Sequence, residues 1–176
     1  MRRLILFRQA KSEPARSGEA DLDRPIAARG REVTPLMGAY IAQHALTPDR
    51  ALVSTARRTR ETWDLLAGAF AKPPPAAFDR RIYEAPAKAL LAVLHETAAD
   101  THTLLVVGHN PGMQELASVL MASGDMTARQ NLSEKFPTAA LAVIEFAVDR
   151  WADIAPHSGR LDRFVTPRAL ALGADD

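Results

Sequence analysis

The chain opens on a short apolar run, Leu4-Ile5-Leu6-Phe7, closed by the charged Arg8. Four apolar residues without alternation suit a strand covered on both faces, as in a parallel sheet. Residues 11–24 are polar and contain Gly and Pro, so they read as a long loop. A stripe follows at Val33, Leu36, Met37, Tyr40, Ile41 and His44, with the i, i+3, i+4 spacing of one helix face. Its start has two readings: Thr34 as N-cap with Pro35 at the first helical position, or a start near Ala28 with Pro35 in the early turns. Residues 51–53 predict a second buried strand. Residues 57–70 predict a helix with Thr62, Leu65, Leu66, Ala69 and Phe70 on one side. Pro73-Pro74-Pro75 is a stiff surface connection, and residues 76–78 form a short strand. Residues 86–97 read as a helix, 104–107 as a third buried strand, 108–112 as a tight turn and 113–121 as a helix. Residues 140–148 and 160–165 are two further strands.

Strands alternating with helices along most of the chain predict an α/β fold, a three-layer α/β/α sandwich around a mostly parallel sheet. The last two strands leave room for an antiparallel member. At 176 residues without a linker or repeat, a single domain over 1–176 is expected. The net charge of +1 gives no bulk attraction for nucleic acid or anionic lipid, so neither is an expected partner. Any affinity for phosphate must come from local arginines. With no cysteine there are no disulfides, thiolate metal sites or thiol nucleophiles. No stretch approaches the roughly 20 apolar residues that span a bilayer, and the N-terminal run is too short for a signal-peptide core. A soluble, cytoplasmic monomer without cofactor or metal is expected; no cluster has metal-ligand spacing, and His102 and His109 fall at opposite ends of one strand.

Ligands of open α/β sheets bind beyond the carboxyl ends of the strands. That selects the residues after Phe7, after Val53 and after Val107: Arg8-Gln9-Ala10-Lys11-Ser12, Ser54-Thr55-Ala56-Arg57-Arg58-Thr59, and Gly108-His109-Asn110-Pro111-Gly112. Arg8, Arg58 and His109 would then share one rim. Helix N-termini behind these turns favour anions, and guanidinium forks match phosphate oxygens. The combination reads as a phosphoryl pocket. Each feature alone has a blander reading: a solvated arginine at Arg8, a core histidine at His109, helix-start hydrogen bonding at Ser54 and Thr59. Arg57 points away from Arg58 and is either surface or a secondary phosphate contact. Arg80-Arg81 reads as a solvated pair.

The same three segments resemble a known family. Arg8 to Ser12 is similar to the Arg-His-Ala-Lys-Ser opening of the SixA-type phosphohistidine phosphatases, a branch of the histidine phosphatase (phosphoglycerate mutase-like) superfamily. Ser54 to Thr62 resembles its Ser-x-x-x-Arg-x-x-x-Thr segment, and Gly108 to Gly112 its second-histidine turn. Ile82-Tyr83-Glu84-Ala85 and Phe164-Val165-Thr166-Pro167 also resemble this branch. The resemblance implies a hydrolase acting through a phosphohistidine intermediate. Its nucleophile would stand at position 9, with Arg8, Arg58 and His109 on the phosphoryl oxygens and Glu84 as candidate general acid. It further implies a phosphohistidine-bearing protein as substrate, with a small phosphate ester as the alternative.

One position departs from that pattern: Gln9 stands where the resemblance requires histidine. An amide nitrogen shares its lone pair with the carbonyl and is no nucleophile, although its NH2 still donates to phosphate. Three explanations follow. Gln9 is an engineered change that traps a bound state; or it is natural and the protein is a catalytically dead phosphate-binding module; or His44, His95, His102 or His157 supplies the nucleophile.

Overall fold

A computed structural model describes residues 1–171. One seven-stranded sheet forms its middle layer. In chain order its strands are β1 (Arg2–Arg8), β2 (Arg50–Val53), β3 (Ala76–Phe78), β4 (Thr103–Gly108), β5 (Met121–Gly124), β6 (Leu141–Phe146) and β7 (Gly159–Val165), arranged β3-β2-β4-β1-β6-β7-β5. Of these, β6 alone runs against the others. The helices are α1 (Ala28–Gln43), α2 (Arg57–Ala67), α3 (Ala87–Leu94), α4 (Gly112–Leu120), α5 (Met126–Glu134) and α6 (Pro167–Ala171).

The all-apolar run of β1 explains its central place. Leu4, Ile5, Leu6 and Phe7 are fully buried, and period-2 geometry sends them alternately to two cores. Leu4 and Leu6 pack with Leu90 and Leu94 of α3, Met113 and Leu116 of α4, and Leu132 of α5. Ile5 and Phe7 pack with Val33, Met37 and Ile41 of α1 and with Trp63 and Leu66 of α2. Burying side chains of this size contributes roughly 1.5–3 kcal/mol each, so this strand ties both layers together. No helix of the described residues is long and apolar enough to cross a membrane.

The structure selects the earlier start for α1, with Pro35 inside it. The tolerated proline loses one amide donor, and Thr34 Oγ1 bonds the Gly30 carbonyl at 2.6 Å in the same turn. The predicted stripe is rotated. Gly30, Thr34 and Gly38 share the buried face with Val33, Met37 and Ile41, whereas Leu36 is exposed and His44 stacks on Tyr40 at the surface. The glycines bring α1 close to its neighbours, a contact that a count of large apolar residues does not register. The helices predicted over 57–70 and 86–97 both end three residues early, Met121 opens β5 rather than closing the helix predicted over 113–121, and the rest of β5 and α5 fall in a stretch with no predicted element.

Gly112, at the start of α4, packs so closely that a Cβ there would lie 2.3 Å from the Ala85 carbonyl oxygen. This contact sets how the 83–85 segment lies over the sheet. Gly112→Ala is therefore expected to cost about 1–3 kcal/mol in denaturant unfolding and to shift Tyr83 amide and ring resonances. An unchanged midpoint and spectrum would show that the contact is soft.

Candidate functional site

Register builds the site. Arg8 pairs with Gly108 across β1 and β4, and Val53 pairs with Val107 across β2 and β4. Three parallel strands thus end at one level, and the turns after them meet. Because β6 runs the other way, the segment entering it, residues 136–140, arrives at the same rim. Phe136 offers its carbonyl there to Arg8 Nη1 at 2.9 Å and Asn110 Nδ2 at 3.2 Å.

Arg8, Gln9, Arg58, Glu84 and His109 line one pocket of about 310 Å3. The structure thus brings together all the residues singled out in the sequence for phosphoryl chemistry. Arg57 is not among them: it is exposed and pairs with Glu61 at 3.3 Å. Arg81 is not merely solvated, since it bridges Asp79 and Glu96, each at 2.8 Å. His44, His95, His102 and His157 do not line this pocket.

Buried hydroxyls hold the rim in shape. Thr62 Oγ1 accepts the Ala10 amide at 3.0 Å and donates to the Arg58 carbonyl at 2.7 Å, stitching the turn after β1 to α2. Thr59 Oγ1 reaches the Ser54 and Ala56 carbonyls at 2.7 and 2.8 Å, the helix-start role expected of it. Ser54 does more than orient its own turn. Fully buried, its hydroxyl lies 2.7 Å from His109 Nε2 and accepts a long bond from the Ala56 amide. Nε2 is the one acceptor among the described residues to which the Ser54 hydroxyl can donate, and in that arrangement the imidazole proton is on Nδ1. Nδ1 has no partner among the described residues, nor has Gln9 Oε1.

His109 is 5% exposed. Burial, and then the Arg58 charge, lower its pKa to about 4. It is neutral near pH 7 and offers a hydrogen-bond donor rather than a charge. Burial also lowers Arg8. Positive charge therefore comes from Arg8 and Arg58, with Lys11 and Arg24 at the margin.

Asp21, which the sequence did not single out, and Tyr83 organise Arg58. Asp21, in a 3-10 turn (Asp21–Asp23), accepts from Arg58 through its backbone carbonyl at 2.9 Å and its carboxylate at 3.2 Å. The same carboxylate accepts from Arg24 at 2.8 Å and from the Tyr83 hydroxyl. The Tyr83 hydrogen bond, followed by the one from Arg24, holds Asp21 well below the usual carboxylate range. Asp21 is thus an acceptor and not a proton donor near neutral pH. The Tyr83 ring meets His109 edge-on at 5.4 Å and lies 5.8 Å from the Arg58 guanidinium carbon. Asp21 escaped notice because it lies in a loop without periodicity, 37 residues from its partner Arg58. Among the described residues, no group of three or more His, Asp or Glu side chains is placed to hold a metal ion.

Two tests follow. His109 has its folded pKa depressed, so the unfolded chain takes up this proton first. Stability should be flat above about pH 7 and fall as pH drops from about 6.5 towards about 4, by at most about 3 kcal/mol from this group. Ring titration by NMR should give a value near 4, and His109→Phe should remove that part of the loss; a free-solution pKa would refute the buried neutral state. Asp21→Asn removes the carboxylate that competes for Arg58, and should tighten inorganic phosphate binding by roughly tenfold. Unchanged affinity in calorimetry would mean that Asp21 and the anion do not compete.

No protein-family model matches the chain. An uncharacterized protein of Mycobacterium tuberculosis is 37% identical over 164 residues, 92% of this chain and all of the relative. Among solved structures, a protein of Nakamurella multipartitia assigned as a phosphohistidine phosphatase SixA superposes with a TM-score of 0.82 at 26% identity, covering 94% of this chain and 96% of that one. The corresponding Agrobacterium tumefaciens protein gives 0.79 at 27% identity, with 94% and 99% covered. A mycobacterial glucosyl-3-phosphoglycerate phosphatase shares the fold at 0.66 and 14% identity, with 93% and 98% covered. Over nearly its whole length the chain is similar to SixA-type phosphohistidine phosphatases, and its structural neighbours are members of the histidine phosphatase superfamily.

Proposed function

We propose that this protein binds the phosphoryl group of a phosphohistidine carried by another protein and, with Gln9 at the nucleophile position, does not turn it over. It acts as a cytoplasmic monomer and needs no cofactor. The observation that carries the reading is the place of Gln9. It is 7% exposed, lines the pocket directly after β1, and shares that pocket with a single histidine, His109. His109 is committed to Ser54 through one nitrogen and is the natural donor to a phosphoryl oxygen through the other.

With histidine at position 9, a ring nitrogen would attack phosphorus in line as the bond to the substrate imidazole breaks. Water would then cleave the new phosphorus–nitrogen bond and release phosphate. Arg8, Arg58 and His109 would stabilise the charge on the non-bridging oxygens, an effect worth a few kcal/mol per contact. Gln9 removes the attacking atom but leaves these contacts and adds an amide donor. Either origin of Gln9, natural or engineered, leads to the same chemistry.

A second reading rests on a specific observation. The loop after β1 folds against the pocket, and Lys11, Ser12, Asp21 and Arg24 all line it. Such contacts suit a small phosphate ester, for which a general acid matters more, and Glu84 is in the lining. Against this reading, the loop engages Arg58 through the Asp21 carboxylate, which an ester phosphate would have to displace.

Phosphate release from a phosphohistidine-bearing protein should be undetectable for the chain as it stands and appear with Gln9→His, while both bind inorganic phosphate. Equal turnover by both would remove position 9 from the mechanism. Fast cleavage of small phosphomonoesters by Gln9→His, with none of phosphohistidine, would establish the second reading instead.

A further inference from the structure

Residues 14–23 form a loop whose two ends are tied together. The Glu13 amide bonds the Pro25 carbonyl at 2.9 Å, and Arg24 donates to the Glu13 carbonyl and the Ser12 hydroxyl, each at 2.8 Å. The stretch between contains no buried residue, and its one large hydrophobic side chain, Leu22, is exposed. Part of its hydrogen bonding is internal, between Glu19 and Arg16 and between Asp23 and Ala20. Beyond the tie through Arg24, three hydrogen bonds join it to the body of the protein among the described residues, and Asp21 accepts all three. Two come from Arg58, one to the backbone carbonyl and one to the carboxylate, and the third comes from the Tyr83 hydroxyl. A segment without apolar anchors lies at the low end of local stability, and this one is fastened to the arginine of the phosphoryl pocket.

An anion at Arg58 meets one stiff group and one yielding group. The Arg58 side chain is 5% exposed and that of Asp21 40% exposed, so the guanidinium is held in place and the loop carboxylate gives way. Rotation of the Asp21 side chain alone does not free both guanidinium nitrogens, because Nη1 bonds the Asp21 backbone carbonyl. The main chain of the loop must move as well. Resting on the phosphoryl-binding reading of the pocket, we propose that residues 14–23 are a strap latched by Asp21, and that a phosphoryl group at Arg58 releases it. A chain with Gln9 at the nucleophile position then converts capture of a phosphorylated partner into a change of its own surface beside the captured group. Linkage makes the effect reciprocal: a partner that lifts the strap raises phosphoryl affinity by the same factor.

The experiment compares the full chain with Asp21→Ala, using inorganic phosphate as the probe and chloride at matched ionic strength as the control. Calorimetry gives phosphate affinity. Hydrogen exchange by NMR follows the Asp23 and Arg24 amides, which bond the Ala20 and Asp21 carbonyls at 3.0 and 3.2 Å in the latched strap. Saturating phosphate should speed exchange of these amides about tenfold, even as it raises the unfolding temperature of the whole chain. Asp21→Ala should exchange fast without phosphate, respond little to it, and bind it more tightly by about the same factor. Exchange that phosphate leaves unchanged or slows, in a chain that binds it, would overturn the strap and leave the phosphoryl-binding reading standing; this comparison needs no variant. Slow exchange in Asp21→Ala would also overturn it, since the latch would then lie elsewhere. Absence of phosphate affinity from both chains would sink the phosphoryl-binding reading, and the strap with it.

Discussion

The parallel register of β2, β4 and β1 is the constraint on which the site depends. It sets Val53 beside Val107 and Arg8 beside Gly108, so that the three turns beyond them start from one line. Every polar contact on the rim inherits that alignment. The Ser54 to His109 bond joins the ends of β2 and β4, and the Thr62 to Ala10 bond joins α2 to the end of β1. A slip of one residue in β1 would also send Ile5 and Phe7 to the opposite core. Packing in two layers and the placement of Arg8 are therefore enforced together.

Gathering cations in a buried place is unfavourable unless something compensates, and the loop after β1 supplies the compensation. Arg58 is almost wholly buried and spends two guanidinium nitrogens on Asp21. Arg8 has no such carboxylate partner among the described residues. Its polar contact is the Phe136 carbonyl, and burial lowers its pKa. The two arginines thus differ in what an anion would change: at Arg58 it must compete with Asp21, while at Arg8 it meets an under-compensated charge. Tyr83 links the two ends of this balance, donating to Asp21 while its ring edges onto His109.

How much of this was legible in the sequence follows from how far apart the partners lie. The β1 run, the two later strands and the residues directly after them could be read because strand ends are local signals and α/β sheets place ligands there. Residues 122–134 were silent because β5 is a four-residue strand with two exposed members, and α5 buries Leu132 alone. The rotation of α1 was missed because Gly30, Thr34 and Gly38 bury surface without being large or apolar. Asp21 and Phe136 were missed because their roles come from long-range placement. One is a loop carboxylate with no spacing rule, and the other acts through a backbone carbonyl that any residue would provide.

Gln9 can be separated from the rest of the pocket because little else leans on it. Its Oε1 has no partner among the described residues, and its backbone amide bonds the Gly108 carbonyl at 2.9 Å whatever side chain it bears. Arg8 is held by Phe136, Arg58 by Asp21 and His109 by Ser54, and none of these bonds passes through Gln9. A side chain that chemistry would require at this point is thus one that the fold does not. The proposed phosphoryl contacts are therefore compatible with glutamine at position 9 in one stable molecule, because Arg8, Arg58 and His109 are anchored independently of it.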